Sequence, residues 1–316
     1  MKALNTYSKF FGVLALALCA FGANVQAQDE PQFAQYQFSR ALFNPAANGI
    51  EDGFSGLLMH RSQWAGFNDA PHAQGLSLQG GLKSINSGIG LTVTNTGYGV
   101  TNALSIGIAY AYHLPLGKKY RLSFGIQGDL KVNSDNGSAL TTTGSGDSEY
   151  QQDVTLYTGN FGAGLMFHSE RLFVGVSTTR FLNNEINYAA KATYTNDFDA
   201  EKIPFYVTAG YAFLVSPDFS LMPSAMVRSL ADQPIMADFN LNLKYKDIFW
   251  IGPYYRLNAA VGGMAGVNIS NTVRIGYAGE FPLSALSPYT KGSHEVFISF
   301  NIRKKNASTV PSIRYF

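Results

Sequence analysis

Five histidines, His60, His72, His113, His168 and His294, are the residues of this chain best suited to proton transfer or metal binding. A local metal-ligand pair needs histidines a few positions apart, so that both reach one ion. No two of the five stand three or four residues apart, and neither a metal nor a cofactor is expected. The serine-hydrolase elbow G-x-S-x-G is absent. A phospholipase working on its own membrane would gather serine and histidine on an outward face, whereas the alternation described below turns His113 and His168 inward. Asp147, Glu149 and Asp153 could offer oxygens to calcium. Their spacing does not follow D-x-[DN]-x-[DN]-G, and a solvated surface loop is the simpler reading. No catalytic residue is assigned, and an enzyme is not expected.

The elements that carry these residues begin with an export signal. Lys2 and Lys9 precede an uncharged apolar run over 10–21, and Val25-Gln26-Ala27 supplies the small residues that a signal peptidase takes. The run falls short of the roughly 20 residues of a spanning helix. Residues 1–27 therefore read as a signal peptide, with the mature chain starting near Gln28. Cys19, the single cysteine, leaves with it, which excludes disulfides and cysteine nucleophiles. The 23 basic residues against 21 acidic ones become equal once Lys2 and Lys9 are gone, so nothing draws the protein to nucleic acid. Instead, 32 Gly, 23 Phe and 18 Tyr with only 14% charged residues suit strands that face lipid. A mean hydropathy of −0.02 is what alternation of polar and apolar residues produces.

That alternation is the dominant pattern. Over 121–133, Leu122, Phe124, Ile126, Leu130 and Val132 share one face, and Ser123, Gln127, Asp129, Lys131 and Asn133 the other. Over 236–245, Phe239, Leu241 and Leu243 alternate with Asp238, Asn240, Asn242 and Lys244. A soluble sandwich with one wet face alternates too. Strands of about 10 residues suit a tilted membrane crossing better, and a polar face rich in Gly, Ser and Ala suits a confined lumen. The expectation is an all-β fold, a transmembrane antiparallel β-barrel of fourteen strands over 53–302. The strands fall near 54–63, 74–81, 87–96, 103–114, 120–133, 160–168, 172–179, 206–215, 220–229, 235–245, 248–257, 260–269, 273–282 and 294–302. The first is ambiguous in phase, and Pro253 is awkward for the eleventh.

The links between strands alternate as well. Even-to-odd links are short, and every long one, 64–73, 134–159, 180–205 and 283–293, is odd-to-even. Short periplasmic turns and long extracellular loops are the habit of such barrels, so both termini are expected in the periplasm. Residues 28–52 then form a periplasmic segment, long enough to fold into the lumen or to dock on a partner, and 303–316 form a periplasmic tail. Aromatics near the outer strand ends, Trp64, Phe67, Tyr98 and Tyr289, fit an interfacial girdle. Outward Leu241 should tolerate arginine poorly, and inward Asn240 much better.

Several segments resemble one family. Asp29-Glu30-Pro31-Gln32-Phe33-Ala34-Gln35-Tyr36 followed by Asn44-Pro45-Ala46, and Arg61-Ser62-Gln63-Trp64-Ala65-Gly66-Phe67 followed by Ala70-Pro71, are similar to elements of the PorP/SprF family of outer-membrane proteins. So are Tyr110-Ala111-Tyr112-His113-Leu114-Pro115-Leu116, the run from Ser287 and Tyr289 through Gly292-Ser293-His294-Glu295, and the ending Arg314-Tyr315-Phe316. Glu30 is an insertion and Ile313 departs from the usual tail. The resemblance implies a component of the type IX secretion and gliding apparatus. Such a component assists secretion or surface anchoring of cargo with C-terminal sorting domains, or links the barrel to periplasmic ring and lipoprotein components. The implied partner-docking residues are Phe33, Tyr36, Asn44, Pro45, Arg61, Trp64, Phe67, His294 and Glu295. A channel for small solutes or lipids is the other function that the barrel alone would support.

Overall fold

A computed structural model describes residues 32–51, 53–139, 153–187, 193–229 and 234–302. The expected signal peptide 1–27, the tail 303–316, and Asp147 and Glu149 lie outside them. The strands are β1 (Phe54–Ser62), β2 (His72–Leu82), β3 (Ser87–Tyr98), β4 (Thr101–Leu116), β5 (Tyr120–Asn136), β6 (Asp153–His168) and β7 (Leu172–Thr178). Then come β8 (Phe205–Tyr211, continued by Phe213–Leu214), β9 (Phe219–Ser229), β10 (Met236–Tyr245), β11 (Phe249–Arg256), β12 (Ala260–Asn268), β13 (Val273–Pro282) and β14 (Ser293–Ile302). Both pieces of β8 pair with β9, so the fifteen segments of the sheet are fourteen strands. Each is antiparallel to its neighbours, and β1 pairs with β14 from Phe54–Ile302 to Ser62–His294. That last ladder closes the cylinder. Closure leaves no sheet edge inside a bilayer, where an unpaired amide finds no water.

Outward positions carry the apolar side chains that the alternation assigned to lipid, with Ile108 70% and Ile126 64% exposed. The rim that joins even to odd strands has short turns throughout, and the opposite rim carries the long links. These are called the turn rim and the loop rim. On the loop rim β5 and β6 run further than their alternation suggested, through Asn136 and from Asp153, into the expected loop 134–159. A ribbon, Asn183–Asn187 with Thr193–Asp197, stands in the β7–β8 link. Pro253 keeps its place because the ladder to β10 is interrupted there. Gly252 and Pro253 have no partners on β10, while Pro253 still faces Gly263 of β12.

The lumen is filled. Residues 32–51 lie inside the barrel, and Phe33, Tyr36, Ala46 and Asn48 are fully buried. Of the two expectations for this segment, folding into the lumen or docking on a partner, residues 32–51 show the first. The reason is apolar: Phe33, Tyr36, Leu42 and Phe43 cluster with Leu57, Met59, Tyr206, Trp250 and Phe297 of the wall, each full burial contributing about 1.5–3 kcal/mol. This also resolves the ambiguous phase of β1. Its inward residues Leu57 and Met59 are apolar because they meet the plug, not water.

Two short 3₁₀ turns, Arg40–Leu42 and Pro45–Ala47, keep the plug compact. Asn44 caps the second by accepting from the Ala46 amide at 2.9 Å, with Pro45 at the position where no amide is needed. The wall must then offer backbone without side chains. A Cβ on Gly125 would lie 2.2 Å from the Ala46 nitrogen, and one on Gly88 2.2 Å from the Asn48 oxygen. Glycine is the only residue that permits this approach.

Candidate functional site

The plug is held at two levels. Near the loop rim, Glu295 of β14 accepts from the backbone amides of Ala34 at 2.7 Å and Gln35 at 2.9 Å, and from the Gln35 side chain at 3.2 Å. Asn240 of β10 donates to the Ala34 carbonyl at 3.1 Å and to Gln37 Oε1 at 2.8 Å. Tyr36 reaches Ser224 and the Asp238 carbonyl, both at 3.3 Å, and burial pushes its hydroxyl well above the ordinary range, keeping it a donor. Near the turn rim, Asn44 donates to the Leu165 carbonyl at 3.0 Å, Ser177 donates to the Phe43 carbonyl at 2.8 Å, and Gln79 accepts from the Gly49 amide at 3.0 Å. Arg40 is drawn down to about 10 by burial, against the opposing pull of Glu51 at 3.8 Å, and so stays charged at neutral pH. The described part of the plug thus begins at the loop-rim half of the lumen and ends at the turn rim.

Glu295 is the end of a buried chain of alternating charge. Arg228 of β9 meets Asp238 of β10 at 2.8 Å, and Asp238 meets Arg256 of β11 at 2.8 Å. Arg256 lies 3.6 Å from Glu280 of β13, Glu280 bonds Arg61 of β1, and Arg61 lies 3.6 Å from Glu295. Each charge is costly to bury and is offset by its neighbours in the chain and, at Glu295, by the plug amides. Arg61 and Glu295 face each other because β1 and β14 close the barrel in that register.

The loop-side ends of the same two motifs also meet. The Ala65 amide donates to the Gly292 carbonyl at 2.7 Å, and the Lys291 amide to the Ala65 carbonyl at 2.8 Å. The Trp64 amide donates to Ser293 at 3.3 Å, and Trp64 is held at a φ of 50°, a left-handed conformation that a bulky residue rarely adopts. Beyond this junction Phe67 and Tyr289 stand exposed, Tyr289 at 74%.

The nine residues singled out from the sequence therefore divide. Phe33, Tyr36, Asn44, Pro45, Arg61 and Glu295 come together in the lumen, Trp64 and Phe67 lie on the loop rim, and His294 stands apart. His294 faces outward, bonded to the Tyr277 hydroxyl at 2.6 Å. Sequence reasoning missed Arg228, Asp238, Arg256 and Glu280 as a unit. Their signal was charge on an inward phase, already visible for Asp238, but the partners lie on other strands.

Ser123 sits 2.7 Å from His113 Nδ1 and 2.9 Å from His168 Nε2. All three are buried against the plug, so a substrate has no approach. Asp153 accepts from the Ser138 amide at 3.0 Å, a turn contact. Below the plug, at the turn rim, a cavity of about 650 Å³ opens between Phe38, Glu51, Lys244, Asn268, Arg274 and Asn301.

A sequence model described as the type IX secretion system membrane protein PorP/SprF matches residues 25–300. No curated protein matches. Among solved structures the chain is similar to the Pseudomonas putida toluene transporter TodX, at 12% identity and a TM-score of 0.49, covering 84% of this chain and 94% of that one. It is similar to the Ralstonia pickettii toluene transporter TbuX at 12% identity and 0.48, covering 90% and 95%. Against the Acinetobacter baumannii outer membrane protein Omp33 the values are 10% and 0.47, covering 81% and 100%.

Proposed function

Because the chain belongs to the PorP/SprF family of type IX secretion system membrane proteins, an outer-membrane barrel component of that apparatus, we propose that it works as an adaptor for exported cargo rather than as a conduit. The observation that carries this reading is the filled lumen. Residues 32–51 occupy it with their polar groups bonded to the wall, which leaves the two rims as the working surfaces. The turn rim is assigned to the periplasm, facing ring and lipoprotein components, and the loop rim to the outside, on the general habit of bacterial barrels. Cargo with C-terminal sorting domains then meets the loop rim, where Trp64, Phe67 and Tyr289 gather on two loops fastened to each other. Phe67 and Tyr289 are exposed and Trp64 is half-buried beside them, and large aromatics that become buried at an interface supply much of its binding energy.

The test compares barrel abundance with secreted cargo. Phe67→Ala with Tyr289→Ala should leave folded barrel at its normal level and abolish cargo secretion or retention. A role as interfacial girdle alone predicts the reverse, lowered barrel with cargo falling in proportion. The competing reading, a channel for small solutes or lipids, requires ion or solute flux through the intact barrel. Planar-bilayer recordings should show no steady conductance.

A further inference from the structure

Over part of its length β6 has one ladder partner only among the described residues, although the ribbon strand Thr193–Asp197 also comes close to it. It pairs with β5 along its whole run, from Asp153–Asn136 to His168–Arg121, but with β7 only from Ala163 to His168. The break is built. Asn160 Oδ1 accepts from the amides of Phe161 at 2.9 Å, Phe181 at 2.9 Å and Leu182 at 3.0 Å, and turns the chain after β7 away from the ladder. The Phe161 carbonyl accepts from the Phe181 amide at 2.9 Å, and the Ser169 amide donates to the Leu172 carbonyl across the β6–β7 turn. Odd-numbered residues of β6 therefore aim their N–H and C=O groups away from β5. The register with β5 has no bulge, so Asp153, Thr155, Tyr157 and Gly159 do the same. These four are exposed, Tyr157 at 60%, and among the described residues no strand pairs with them.

Such an edge cannot stand in hydrocarbon, where its amides would go unsatisfied. About 10 residues of tilted strand cross the membrane, which counted from His168 reaches Gly159. Residues 153–158 stand beyond it, at the loop rim.

We propose that cargo docked at the aromatic loops is also held at this edge, by adding an extended segment of the exported polypeptide to β6 as a further strand; the inference rests on the adaptor reading above. An open edge takes a strand because only an extended chain repeats N–H and C=O at the same spacing. A second copy fits poorly. Two barrels in one membrane run β6 in the same direction, related by a rotation along the strands. Parallel pairing is not symmetric under that rotation, since each bonded residue faces an unbonded one. The incoming strand lays one face beside Thr155 and Tyr157 and the other beside Val154 and Leu156.

Thr155→Pro with Tyr157→Pro removes two donors from the free edge and leaves the ladder to β5, whose bonds are made by the even-numbered residues. Proline is tolerated on an edge whose N–H faces outward. Thr155→Val with Tyr157→Val alters the same side chains and keeps both amides. The tagged full-length barrel is recovered from outer membranes of a secreting host, with a cargo bearing a C-terminal sorting domain as the probe. Two lost backbone hydrogen bonds should lower retained cargo roughly tenfold for the proline pair, and the valine pair should retain it at the wild-type level. In the wild-type barrel, hydrogen exchange at Thr155, Tyr157 and Gly159 should slow when cargo is bound. Equal retention by folded proline and wild-type barrels overturns the proposal, as do cargo-bound amides that exchange at the free rate. Protection that appears without cargo and rises with barrel concentration overturns it in favour of a second copy. Should the proline pair not fold, the exchange result in the wild-type barrel decides. A wild-type barrel that retains no cargo overturns the adaptor reading and this inference with it.

Discussion

Glu295 concentrates the plug's attachment in one carboxylate. It takes two backbone amides and one side-chain amide from the plug while standing beside Arg61. Removing one partner of a buried ionic group leaves the rest uncompensated, so Glu295→Ala should cost about 3–5 kcal/mol in a urea titration of the refolded barrel. Glu295→Gln should cost less, since its amide oxygen still accepts. The pair Leu241 and Asn240 shows how a filled lumen changes expectations. Leu241 faces outward and 42% exposed, and arginine there should cost about 2–4 kcal/mol at mid-membrane. Alternation alone makes inward Asn240 much more tolerant of arginine than Leu241. Asn240 is buried, with its amide on Ala34 and Gln37, so Asn240→Arg should also lose folded barrel, by displacing the plug.

The plug and the wall of β3, β5 and β6 fit as a pair of elements. The plug's Asn-Pro-Ala turn lies against backbone because Gly88 and Gly125 carry no Cβ. Gly125→Val should therefore leave the strand pairing intact and force the turn out of its seat. The expected result is a barrel that still resists unfolding on an unheated gel but conducts ions in a planar bilayer, where the parent does not. A silent, normally folded Gly125→Val barrel would mean that the plug moves aside without opening a path.

For the whole molecule, strand order and link lengths make the two rims unlike, and sidedness follows from which rim faces out. A cysteine at Asn271 in the β12–β13 turn and one at Tyr289 in the β13–β14 link are both exposed positions on opposite rims. In intact cells an impermeant thiol reagent should label the second and not the first. Labelling of Asn271→Cys alone would invert the barrel and move the cargo surface to the wrong compartment.

The sequence alone determined the strand number, the inward and outward faces of the clearly alternating strands though not of β1, and the contrast between short turns and long links, because each of these is written locally. Period-two alternation needs only neighbouring residues, and turn length only the distance between strands. It also carried the family resemblance, and it placed His113, His168 and Asp238 inward correctly. Tertiary structure decided what the lumen contains. Phe33 and Tyr36 could have anchored a partner or a plug; only a closed barrel of this diameter brings Met59, Tyr206 and Phe297 around them. The chain of charge from Arg228 to Glu295 likewise exists only across six strands distant in sequence, and closure sets its register. The one-sided ladder of β6 over Asp153–Gly159, seen among the described residues, is of the same kind. Alternation reads the same for a paired and an unpaired strand, since hydrogen-bonding direction lies in the backbone and leaves no mark on residue type.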